Sequence, residues 1–344
     1  MSSFFGVFFH ALGGFASGSF YLPFRKVKQW SWESAWIVGG MASWIIVPWL
    51  MGSLTVKELV TSITTTAIDT LGWTYFFGVL WGIGGLTFGL AMRYLGISLG
   101  MAIALGYCSA FGTLIPPIWD GKFNELISTR TGIFTLVGVA VCLLGIAVCG
   151  RAGMMKEKEL SGEQKKATIA EFDLKKGIVV ATISGILSAC FAFGLAAGKP
   201  IALKAVEFGT DPLWQNNAIY PVLLLGGFTT NFIWCMILNQ RNKSFGDYTN
   251  SQTPLSHNYF WAMLAGTTWY FQFFFYGMGD NYLSGDLRFA GWTMHMAFII
   301  TFSTLWGLLL KEWAGASSKT FIVVYIGLFL IVFSTVLIGL GSSL

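Results

Sequence analysis

Ten apolar stretches divide this sequence, each near the roughly 20 residues that a helix needs to cross a hydrocarbon core. They run over 4–24, 34–53, 71–92, 97–117, 131–150, 177–197, 214–238, 258–279, 289–310 and 320–341. In lipid no water satisfies a stray backbone N–H or C=O, so stretches this long and apolar become helices. The pattern predicts an all-α polytopic membrane protein with ten transmembrane helices. Only 11% of the 344 residues are charged, against roughly 25% in a soluble domain. That leaves too little polar surface to cover a water-soluble body. The 42 glycines and 15 tryptophans agree, because glycine lets membrane helices approach closely and tryptophan anchors at the lipid–water interface. No positive charge precedes the first stretch and no small-residue cleavage site follows it. It reads as a retained helix, not a signal peptide.

The joining segments are short and polar. The longest charged one, RAGMMKEKELSGEQKKATIAEFDLKK (151–176), separates a five-helix repeat over 1–150 from a second over 177–344. Of the 21 Lys and Arg residues, 15 fall in the segments joining helices 1–2, 3–4, 5–6, 7–8 and 9–10. The positive-inside rule makes those segments cytoplasmic and both termini external. The chain is predicted to cross its membrane many times.

Five is odd, so two related halves would enter the membrane from opposite sides as inverted repeats. Gly14-x-x-Ser17-x-x-Phe20 matches Gly185-x-x-Ser188-x-x-Phe191, and Gly39-Gly40 matches Gly226-Gly227. Gly78-x-x-Trp81 with Phe88-Gly89 matches Gly266-x-x-Trp269 with Tyr276-Gly277, and Gly138 and Gly150 match Gly327 and Gly339. The offsets are 171, 187, 188 and 189. Two halves of opposite orientation can exchange conformations and expose a central site to either side, which is the logic of a secondary transporter.

Other chemistries lack their motifs. There is no P-loop, HExxH, GxSxG or carboxylate pair on a helix face, so nucleotide-driven pumping and membrane hydrolysis are unsupported. Cys108, Cys142, Cys149, Cys190 and Cys235 lie in apolar stretches without a CxxC and read as small buried hydrophobes. No basic stretch interleaved with aromatics resembles a nucleic-acid platform. The chain is expected to be no enzyme and to need no cofactor or metal.

The order of several segments resembles the L-rhamnose–proton symporter family, a branch of the drug/metabolite transporter superfamily. They are FYLPFRKVKQWSWE (20–33), WGIGGLTFGLAMRYLGISLG (81–100), WYFQFFFYGMG (269–279), WTMHM (292–296) and LLLKEW (308–313). The resemblance spans nearly the whole chain. It implies ten helices in a five-plus-five inverted repeat, an inner-membrane location and uptake of the sugar with a proton.

A neutral deoxysugar needs hydroxyl partners and aromatic faces for its C–H surface. In helix 8, Trp269, Gln272, Phe273 and Tyr276 share one face, and Gln272 is deep and polar. Gln272, Trp269, Tyr276 and Trp81, the repeat mate of Trp269, are candidate sugar contacts; Gln272 could instead make an interhelical hydrogen bond, the tryptophans could be ordinary packing, and Tyr276 could belong to the interfacial belt. His10, Gly14, Ser17 and Tyr21 form a second stripe on helix 1, and helix 9 adds Trp292 and His295. By a rise of about 1.5 Å per residue, His10, His295, Gln272 and Asn217, early in helix 7, fall in one layer. Proton coupling needs a titrating group. His10 and His295 qualify through the ordinary histidine pKa of about 6.5. Glu33 and Asp280 are acidic candidates at helix ends. Glu33 alternatively favours the positive helix terminus beside Arg25, Lys26 and Lys28. Gly85-x-x-x-Gly89 reads as a helix contact.

The leading expectation is a proton-coupled importer of L-rhamnose or a close deoxysugar. One alternative is an exporter of drugs or metabolites, although lipophilic cations usually want a deep carboxylate and none lies mid-helix. The other is a sugar sensor that moves nothing, for which the 151–176 segment is too short to hold a signalling domain.

Overall fold

The computed structural model describes residues 2–95, 97–119, 121, 123–159, 173–283, 287–310, 313 and 315–341, and every regular element among them is helical. The long helices are α1 (Ser2–Ser19), α2 (Trp32–Thr55), α3 (Ile68–Leu95), α4 (Ile97–Trp119) and α5 (Arg130–Glu159). They continue with α6 (Leu174–Ala197), α7 (Tyr220–Asn242), α8 (Leu255–Tyr282), α9 (Leu287–Leu309) and α10 (Ser318–Gly341). Among the described residues, eight helices are long and apolar enough to cross a membrane. Ile68, Leu54, Leu309 and Phe329 stand largely exposed on the outer surface, as side chains facing lipid would.

The helix limits depart from the sequence pattern at two places. α5 continues past 150 to Glu159, because the Lys- and Glu-rich run there favours helix; residues 160–172 of the central segment lie outside the described residues. The start of the seventh apolar stretch is a 3-10 segment, Pro212–Ala218, whose first turn is fixed by Asp211 Oδ1 accepting from Leu213 N–H at 2.8 Å. α7 begins only at Tyr220, with Pro221 in its first turn.

Glycines set the helix crossings. A Cβ on Gly78 of α3 would meet Gly226 Cα of α7 at 3.2 Å, and one on Gly266 of α8 would meet Gly39 Cα of α2 at 2.9 Å. α1 packs on α8 and α9, while α6 packs on α3 and α4. Gly14 lies against Phe298 and Ile299 of α9, and Gly185 lies against Tyr107 and Cys108 of α4. Gly85 and Gly89 do not form the expected contact, since a Cβ at either position meets nothing within 4 Å. The close approach uses neighbouring faces instead: Gly82 against α7 and Gly84 against Ser188 of α6. Near the α3–α4 turn, Ala91, Ala104 and Ala181 pack together, with Phe88 against them.

α2 is irregular by necessity. Pro48 has no N–H for the carbonyl four residues earlier, and the ladder slips into a π-helical turn over Ala42–Ile46, where Val47 N–H reaches Ala42 O. The turn carries Ser43 and Trp44, both almost fully buried.

Polar clasps close both ends of the bundle. At one end, Asn258 of α8 accepts from Lys28 N–H at 2.9 Å and donates to Lys28 O at 2.7 Å. Ser31 N–H donates to Asp247 at 2.8 Å. At the other end, Asn217 donates to Thr55 Oγ1, Lys57 N–H donates to Thr210 Oγ1, and Gln215 donates to Asn281. Asn258→Ala deletes both halves of the first clasp. With roughly 1 kcal/mol per net hydrogen bond, it is expected to lower stability by about 2 kcal/mol in a thermal unfolding series in detergent.

Candidate functional site

α1, α8 and α9 bring His10, Tyr276 and His295 into one cluster. The two imidazole centres lie 5.9 Å apart, and each is 5.2 Å from the Tyr276 ring. All three side chains are buried, His10 completely. Glycines make this possible. A Cβ on Gly13 would meet the His295 ring at 2.8 Å, and Cβ atoms on Gly279 and Gly291 would each meet His10 Nε2 at 3.1 Å. Helix backbone therefore encloses both rings. Both ring nitrogens of His10 and Nδ1 of His295 lack a hydrogen-bond partner. Such groups are uncommon in folded interiors and call for an explanation in function.

Gln272 sits beside this cluster. Its carbonyl lies under Gly13, its side chain is buried, and its Nε2 has no partner. From Tyr276 a chain of rings runs inward: Trp292 at 5.6 Å, then Phe191 at 5.9 Å, Phe273 at 4.5 Å and Trp81 at 5.7 Å. Trp292 is pinned by its N–H donating to Cys108 O at 3.0 Å. Trp81 and Trp269 both meet Trp44, at 6.2 and 5.9 Å. The interior is therefore aromatic, with scattered unpaired polar atoms.

Not every sequence candidate joins this interior. Ser17 is buried on α1. Tyr21 is half exposed and lies tilted against Phe20, near the basic loop. The amide of Asn217, on the 3-10 segment, donates to Thr55 Oγ1 at the end of α2. Glu33 is held by neutral donors, Ser244 Oγ at 2.6 Å and Asn242 Nδ2 at 2.9 Å, at the clasp containing Lys28 and Asn258. Asp280 lies partly buried one turn past Tyr276 and interacts electrostatically with Tyr220.

Comparison with known proteins decides what kind of interior this is. The chain matches the family described as L-rhamnose-proton symport protein over residues 2–344. It belongs to the L-rhamnose–proton symporter family. Relatives named L-rhamnose-proton symporter come from Escherichia coli (strain ATCC 8739), Escherichia coli O1:K1 and Shigella dysenteriae serotype 1. Each is 38% identical over 341 residues, covering 98% of both chains. Members of a symporter family are transporters, not enzymes, so the chemistry to look for is hydroxyl recognition and proton holding. Among the described residues, no group of three or more His, Cys, Asp or Glu could hold a metal ion.

Sequence reasoning missed Ser43, Trp44 and Trp36. All three belong to α2, whose polar side chains are few and whose apolar run hides any face. The Pro48 that forces the π-turn was the available signal.

Proposed function

We propose that this protein imports L-rhamnose, or a close deoxysugar, together with a proton by alternating access across a bacterial inner membrane. The observation that carries this reading is the full-length kinship with proteins named L-rhamnose-proton symporters. The interior is consistent with it: aromatic faces, an unpaired amide at Gln272, and an enclosed pair of histidines. Trp269, Trp81, Gln272 and Tyr276 are assigned to the sugar, with Ser17 at the edge of the same interior. Tyr21 and Asn217 line the approaches from the two ends. His10 and His295 are assigned to the proton and to the sugar that occupies the site with it. Asp280, next to Tyr276 on α8, lies on the route between that pair and the outside. Glu33 belongs to the cytoplasmic clasp, where it senses opening of that end.

The topology in this reading has ten crossings, with α4 and α8 added to the eight long apolar helices, and both termini outside. Residues 1–150 and 177–344 form inverted repeats joined by the cytoplasmic segment 151–176. Exchanging the halves maps contacts onto contacts. Gly78 on Gly226 becomes Gly266 on Gly39, and Trp81 against Phe191 becomes Trp269 against Phe20. Gly185 on Tyr107 becomes Gly14 on Phe298. The clasp of 25–31 with 244–258 becomes the clasp of 198–217 with 55–66. Alternating access then means releasing one clasp while the other holds.

Purified protein in de-energised vesicles tests the reading. Addition of L-rhamnose outside is expected to alkalinise the medium as sugar and proton enter together. Sugar uptake without proton movement would remove the symport claim; no uptake would remove the substrate.

A further inference from the structure

The π-turn of α2 places two polar groups in the middle of the bundle that the fold itself does not use. Ser43 Oγ and Trp44 Nε1 are buried and have no hydrogen-bond partner, with Ser43 1% and Trp44 2% exposed. Leaving a buried donor unmade costs about 1–3 kcal/mol, and two adjacent ones on a broken helical turn need a reason. π-turns recur at functional sites.

The surroundings are neutral and aromatic, and they close tightly around these two groups in this state. Trp44 is edge-on to Trp36, Trp81 and Trp269, with ring centres 6.1, 6.2 and 5.9 Å away. Trp81 and Trp269 are the matched tryptophans of the two halves, so Trp44 stands between them. Ser43 lines the same recess as Trp36, Trp44 and Trp269. Trp44 can lie here because Gly40 has no side chain: a Cβ there would meet the indole ring at 2.5 Å. A neighbouring cavity of about 160 Å³, lined by Tyr21, Phe24, Trp30 and Trp32 among others, shares Trp36 and Phe24 with it. That cavity lies beside the Lys28–Asn258 clasp, with Val27 and Trp30 in its wall. No carboxylate or cation lines either space, which favours a neutral ligand over an ionic one.

We infer that Ser43 and Trp44 form a sugar-recognition pair: the indole N–H donates to one sugar hydroxyl, Ser43 exchanges a hydrogen bond with another, and the surrounding indoles cover the C–H face. This inference rests on the proposed sugar import and adds to it the residues that set hydroxyl specificity. Discrimination belongs here because a site built to pair a hydroxyl rejects an analogue lacking it far more strongly than an aromatic wall can.

The experiment uses the full chain in vesicles, with L-rhamnose and its singly deoxygenated analogues as probes. Ser43→Ala and Trp44→Phe each delete one polar atom and keep most of the volume. The wild type is expected to take up L-rhamnose and to disfavour one analogue per deleted partner. Each variant is expected to raise KM for L-rhamnose by about tenfold, the equivalent of 1.4 kcal/mol, while leaving KM for its matching deoxy analogue within about twofold of wild type. A purely structural role would weaken every substrate alike, and that uniform loss overturns the inference, as does an unchanged KM for L-rhamnose. If Trp44→Phe fails to fold, the Ser43→Ala series decides alone, because loss of a single oxygen leaves the packing intact. A wild type that takes up no L-rhamnose overturns the import reading and this one with it; a transporting wild type with indifferent variants overturns only the pair.

Discussion

His10→Ala and His295→Ala are each expected to abolish accumulation of L-rhamnose while exchange of labelled for unlabelled sugar continues. A proton falling through about 100 mV supplies about 2.3 kcal/mol. At 1.4 kcal/mol per decade that sustains roughly 50-fold accumulation. The expected change in each variant is a fall from that level to equality inside and out. The reason lies in the enclosure of the rings. Helix backbone at Gly13, Gly279 and Gly291 presses on both imidazoles, and three of their nitrogens have no partner. Enclosing a charged imidazolium there without a counter-charge costs several kcal/mol. The ring facing the pair is Tyr276, backed by Trp292 of α9, with Asp280 one turn further on α8. Taking up a proton therefore goes together with letting water in, and closing goes together with losing it or screening it with sugar. Exchange needs no net proton movement and should survive. Accumulation that persists in both variants would move the proton site elsewhere, Asp280 first.

Gly266→Val and Gly78→Val are expected to prevent stable folding altogether. Overpacking usually costs 1–3 kcal/mol, roughly, when side chains can yield. Here the obstruction is backbone: Gly39 carbonyl and Cα facing Gly266, and Leu223 carbonyl with Gly226 Cα facing Gly78. Neither can rotate away, so α2 must leave α8, or α3 must leave α7. Gly85→Ala and Gly89→Ala are the controls. Open space surrounds both positions, and alanine gains up to about 1 kcal/mol in a helix interior relative to glycine. Yield and thermal midpoint in detergent should collapse for the first pair and hold or rise for the second. Equal tolerance at all four positions would contradict the packing described.

These examples show where the sequence was readable. Apolar length alone located the helices, because a bilayer leaves the chain no other way to satisfy its backbone. The histidines were legible because a titratable ring in an apolar helix is rare enough to notice. Gly78 and Gly266 were legible through their matched spacing. Gly85 and Gly89 misled, because a GxxxG spacing says that a face is smooth, not that anything lies against it. The partner of Asn217 was not legible for a related reason: depth along a helix does not say where an amide turns, and this one turns to Thr55. Ser43 and Trp44 stayed hidden because periodicity assumes one residue per 100° of rotation, and the π-turn breaks that assumption where the interior begins.

The small cluster of Ala91, Ala104 and Ala181 has its own consequence. On the inverted repeat proposed above, Ala181 is the counterpart of His10, Ala91 of Gly279 and Phe88 of Tyr276, and Ala104 packs with them. Where one half would hold a proton, the other holds methyl groups. The two halves of such a carrier share a way of moving but not a way of titrating, and the direction of net transport is left to the gradients across the membrane.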